Sequence, residues 1–209
     1  MTLVAGRMRA ISIAAQMPVS FPVMVLILLL LLAAPAWAGH EAGSVGPYNV
    51  SFDMNTTMLY KVLVDEPSQG VTAGGVSFTR YNLTIDSADY TAYLILTRYD
   101  QPILASINNS KEIVIAALLS AGAKEPKLYQ PLINGQPGVL GSFRFERQYL
   151  GQGAYQQGDI VVAASYSPDG AVRDDGLYRG RTDCRVISTY PWEITRDLIY
   201  TLNVAAPED

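Results

Sequence analysis

One cysteine, one histidine and thirteen tyrosines set the chemistry open to this chain. Cys184 stands in GRTDCRVISTYPWE (180–193), with Arg179, Arg181 and Arg185 around it. Nearby cations lower a thiol's pKa and raise its thiolate fraction, so a reactive nucleophile is one expectation. A disulfide to a second chain is another. A buried packing role is the third, because free Cys is among the most buried residue types. On a strand starting at Cys184, Asp183 and Arg185 point to one face and Cys184 to the other, which takes part of the arginine cluster out of reach. His40, the only histidine, lies in a leader expected to fray. A Ser-His-Asp triad, a Cys-His dyad in a core site and a His-ligated zinc are therefore excluded, and a single thiol excludes thiolate clusters. No catalytic residue and no cofactor is assigned.

Other side chains offer weaker chemistry. The loop SPDGAVRDDG holds Asp169, Asp174 and Asp175, and close carboxylates suit Ca²⁺. Their spacing does not match an EF-hand loop, and a solvated turn is the simpler expectation. Paired carboxylates also serve histidine-free glycoside hydrolysis, but no pair stands out along the chain. Four of seven asparagines head N-x-S/T sequons: Asn49, Asn55, Asn82 and Asn108. With 26 Ser and Thr in 209 residues, about one is expected by chance. The excess suits an exported glycoprotein. Tyrosines such as Tyr81, Tyr93 and Tyr99 alternate along strand-like runs; they either pack in a sheet or form a contact surface for protein or carbohydrate.

The N-terminus points to export. Arg7 and Arg9 precede the apolar run Val23–Ala34, and Ala36-Trp37-Ala38 is a small-x-small cleavage signature. The 12-residue run is shorter than the ~20 residues a spanning helix needs. A signal peptide over 1–38 is expected, with membrane attachment only if that segment is retained. Cleavage leaves 171 residues, with 13 basic against 19 acidic side chains and a net charge of −6. That is one domain's worth of chain, and its charge disfavours nucleic acid. The expected localisation is secreted or cell-surface.

A leader is expected over 39–47, one domain over 48–204 and a tail over 205–209. Strand patterns fall at Tyr48–Met54, Leu59–Asp65, Val76–Asp86 and Tyr90–Asp100. A helix pattern follows in NNSKEIVIAALLSAGAKEP, with Asn109 as cap, Glu112 completing a capping box and Gly122 as stop. Ile113–Leu119 is apolar all round, so burial on more than one side is expected. Asn134-Gly135 is a hairpin signal joining Leu128–Ile133 to Gly138–Arg147. Gly158–Ser167 and CRVIS read as strands, and YPWEITRDLIYTLNV as a closing helix with Ile194, Leu198, Ile199 and Leu202 on one stripe. The sum is an α+β domain: a mostly antiparallel sheet of about six to eight strands carrying two helices.

This order resembles the PsbP-like fold family. INGQPGVLGSFRF looks like that family's hairpin and WEITRDLIYTLNV like its last helix, the likeness covering most of Tyr48 to Val204. The chain is also similar to exported proteins of unknown function from methanogenic archaea. The resemblance implies an accessory or binding module. It brings no catalytic motif, and no manganese or calcium cluster transfers residue by residue. The expected function is a non-enzymatic binding or envelope-accessory domain. The alternatives are a subunit of a surface filament or sheath and a histidine-free hydrolase.

Overall fold

Two strands open the described chain: β1 (Gly39–Val45) and β2 (Tyr48–Met54) form a hairpin. The computed structural model describes residues 39–144, 160–173 and 177–205, which lie in one compact unit. The expected signal segment falls outside them. The leader expected to fray is instead β1, paired along its whole length with β2. Its small residues carry no apolar alternation; pairing with β2, and the Tyr60 hydroxyl donating to Glu41 Oε1 at 2.7 Å, order them.

The rest follows as β3 (Tyr60–Val64), β4 (Ser68–Val71), β5 (Ser77–Ser87), β6 (Thr91–Ser106), α1 (Ile107–Ser120), β7 (Lys127–Tyr129), β8 (Leu132–Ile133), β9 (Gln136–Arg144), β10 (Ile160–Tyr166), β11 (Ala171–Val172), β12 (Leu177–Ser188), α2 (Trp192–Thr201) and β13 (Asn203–Ala205). β1, β2 and β13 make a three-stranded sheet. A ten-stranded sheet runs β3-β5-β6-β12-β10-β9-β7, with β4, β11 and β8 paired alongside, and each of these pairings is antiparallel. The fold is α+β. Its strands outnumber the six to eight expected because short ones arise in turn-rich segments, where pairing outweighs composition.

The main sheet is covered unequally. On its inner face Leu94, Leu96, Val162, Ala164, Cys184 and Val186 pack with the small sheet's Phe52 and Met54 and with α2's Leu198 and Ile199. The apolar stripe of α2 is thus buried as its spacing requires. On the outer face α1 lies over β9 and β10, its Val114 and Leu118 meeting Val139, Val161 and Ala163. Gly141 sets this approach: a Cβ there would stand 2.7 Å from Leu118 Cδ1 and 2.8 Å from Val114 Cγ1. β12, β6 and β5 continue beyond the helix with no element packed over them among the described residues.

Helix α1 begins earlier than its capping pattern suggests. Ser106 is the N-cap, and its backbone N–H donates to Asn109 Oδ1 at 2.8 Å. Asn109 therefore serves as the third helical residue, which a Ser-x-x-Asn reading would have found. The end is as expected: Gly122 has φ 102°, and Ala123 N–H donates to the Leu118 carbonyl at 2.9 Å. Burial is narrower than expected. Val114 and Leu118 are buried, whereas Leu119 is 50 % exposed. At the hairpin, Asn134 (φ 49°) and Gly135 (φ 75°) adopt the left-handed pair of a two-residue turn. No helix among the described residues is long and apolar enough to cross a membrane.

Candidate functional site

Cys184 lies in the interior of β12, not at its start, and its side chain is wholly buried. Burial pushes the thiol pKa up; Asp183 adds to this, and the nearby Tyr166 hydroxyl offsets only part of it. Arg185 leaves on the opposite face, as strand alternation requires, and Arg179 is exposed. The arginines therefore do not activate the thiol. Nor does the folded chain present it to a second chain.

A bulge on the β6 side of the β6–β12 pair accompanies a longer-range change of face: β6 advances five residues where β12 advances two. Gly180 pairs with Ile103, but Thr182 pairs with Arg98, so the register shifts between them. Before the shift Tyr178 reaches α1, its hydroxyl 2.9 Å from Ser110 Oγ. After it, Thr182 and Cys184, also even-numbered, turn to the inner face. Asp169 holds β12 at this shift. Its carboxylate accepts from the backbone N–H groups of Arg181 and Thr182, each at 3.0 Å, and from Thr182 Oγ1 at 3.1 Å. Tyr48 donates in turn to Thr182 Oγ1 at 2.8 Å. Asp169 thus acts within the fold as a clamp. Asp174 and Asp175, the other calcium candidates, lie outside the described residues. Among the described residues no three His, Cys, Asp or Glu side chains stand together as a metal site.

The bare outer face is where polar side chains gather. Cross-strand pairing sets Arg80, Thr97 and Asp183 in one row and Asn82, Ile95 and Arg185 in the next. Four buried polar atoms in these rows have no hydrogen-bond partner: Arg80 Nε, Asn82 Oδ1, Thr97 Oγ1 and Arg185 Nε. Thr97 is only 2 % exposed. Buried polar atoms are almost always partnered, so four such atoms in two adjacent rows set this face apart among the described residues. Beside them Tyr99 donates to Asp183 Oδ2 at 2.8 Å. Burial raises the Asp183 pKa, while Tyr99 and Arg185 pull it down. The Phe78 ring stands edge-on to Tyr99 with centroids 6.2 Å apart, and the Arg80 guanidinium lies over Phe78 at 5.4 Å.

A groove of about 580 Å³ joins this patch to α1. Ile95, Ile113, Ala116 and Ile187 line it, with Arg185 and Glu112 as its charged residues. None of the larger cavities among the described residues is lined by two carboxylates, which is what a histidine-free hydrolase requires.

Among the described residues the tyrosines do not form one exposed patch. Tyr48, Tyr166 and Tyr190 are fully buried, Tyr99 and Tyr178 nearly so, and the exposed Tyr93, Tyr129 and Tyr200 lie on separate elements. Of the sequons, Asn49, Asn55 and Asn108 are exposed, while Asn82 is half-buried within β5. The grouping of Arg80, Thr97, Asp183 and Arg185 escaped sequence reasoning. The signal was present as charges at alternating positions inside β-branched runs, but only strand pairing joins them. Comparison of the chain with family models, curated proteins and solved structures returned no match.

Proposed function

We propose that this chain is an exported, non-enzymatic binding or envelope-accessory domain, and that its binding face is the bare half of the main sheet beside α1. One observation carries the reading: four unpartnered buried polar atoms converge on a face that no element covers among the described residues. The signal-like N-terminus and the sequons support export. The test is a thermal-shift screen against glycans and small anions, run beside turnover assays. Ligands that raise the melting temperature, and lose that effect when Arg80 or Arg185 is replaced, support the reading. Turnover of any screened compound would sink it.

A filament or sheath subunit is the second reading, favoured by one edge of the main sheet. β3 is a terminal strand, and Leu59, Leu63, Val64 and Val71 in and around it are exposed. Open edges invite pairing with another chain. Large assemblies in concentrated solution that dissolve on introducing proline at Leu63 support this reading; a strict monomer removes it.

A further inference from the structure

The groove combines two surfaces that rarely meet by accident. One is apolar: α1 buries only the Val114–Leu118 stripe in the core, and its Ile113 and Ala116 turn toward Ile95 and Ile187 across the groove. The other is a guanidinium whose Nε–H is buried and donates to nothing. An arginine uses Nε–H together with a terminal N–H to hold a planar carboxylate side-on. The volume, about 580 Å³, falls within the roughly 300–1,000 Å³ of small-molecule sites.

The charges facing Arg185 restrict the head group. Asp183 lies beside it on the same face of β12, and Arg80 stands across β6 from Asp183. Glu112 lines the rim from α1, where it is exposed and screened by water. A dianion entering this set would meet two acids. A single planar negative charge meets the unpartnered Nε–H of Arg185 with less repulsion than a dianion.

We propose that this groove binds a small amphipathic carboxylate, its head on the Arg185 guanidinium and its apolar part along Ile95, Ile113 and Ile187. This rests on reading the bare sheet face as a binding surface, and it names the ligand class.

The test titrates the full chain by calorimetry with decanoate below its micellar concentration. Decanol (same tail, no charge), acetate (same head, no tail) and decyl phosphate (same tail, a head that can carry two charges) are the other arms. Saturable 1:1 binding of decanoate is expected, at least about tenfold tighter than decanol and decyl phosphate, with none to acetate; tenfold is the scale of one charge-assisted hydrogen-bond pair. Arg185→Gln should weaken decanoate about tenfold and leave decanol unchanged. Should that variant not fold, Arg185→Lys, which keeps the charge and loses the fork, should weaken decanoate and spare decanol. Ala116→Trp, at an exposed helix position lining the groove, should remove binding of both. Decanol binding as tightly as decanoate, an unchanged affinity in the Arg185 variant, or no saturable binding to folded chain overturns the proposal. A tighter decyl phosphate overturns the carboxylate and leaves the anion site. None of these results involves turnover, the outcome that would remove the wider reading.

Discussion

Asp183 and Cys184 are neighbours in sequence on opposite faces of β12, and burial acts on both. For Cys184 it disfavours thiolate and closes access. The folded chain should resist a thiol reagent for hours and react within seconds in denaturant. It should also run as a monomer without reductant; rapid native labelling or a reducible dimer would contradict this. For Asp183 burial favours the protonated acid over the carboxylate, against the pull of Tyr99 and Arg185. Its folded pKa lies above the ordinary 3.8, so the folded state holds the proton to higher pH than the unfolded one. Stability from this residue is therefore full below that ordinary value and falls as pH rises through the folded one. Asp183→Asn, which keeps an acceptor for Tyr99, should remove that slope. Urea unfolding of both proteins from about pH 4 to pH 7 checks it, and parallel pH profiles would refute it.

Elements are held by a few contacts whose loss should be measurable. Asp169 is legible as a turn residue, but its partners are not. They lie on β12 where its register with β6 shifts, and no local pattern announces that shift. Asp169→Ala leaves two backbone N–H groups without their acceptor and should cost about 2–4 kcal/mol in urea unfolding. Gly141 is equally silent in sequence, reading as a weak point in a strand. Its role comes from α1, which sits where a Cβ would be. Gly141→Ala should cost about 1–3 kcal/mol by forcing the helix outward, and a neutral result would mean that α1 moves freely. The α1 start is by contrast local: both Ser106 and Asn109 can cap, and the reciprocal Ser106–Asn109 box fixes Ser106 as the N-cap.

At the scale of the molecule, β6 and β12 join the two halves of the chain into one sheet, along a register from Ser188↔Ala92 to Leu177↔Ser106. That seam lies mid-sheet, whereas β3, β4, β7 and β11 lie at edges or alongside. Amide exchange should be slowest in β6 and β12 and fastest in those peripheral strands; equal protection throughout would refute the seam as the stable centre. By itself the sequence determined what depends on near neighbours along the chain. It placed β2, β5 and β10, the Asn134-Gly135 turn, the Gly122 stop and the buried stripe of α2, because periodicity and left-handed turn residues act over a few positions. Composition also leaves a single histidine, His40, whose Nδ1 the β1–β2 pairing sets 2.7 Å from Asp53 Oδ1. Only the tertiary structure decided which strands pair, that β1 is ordered, that Cys184 is sealed, and that Arg80, Thr97, Asp183 and Arg185 share one face. Those outcomes depend on contacts between residues far apart in the chain, and register and burial are properties of the assembled sheet.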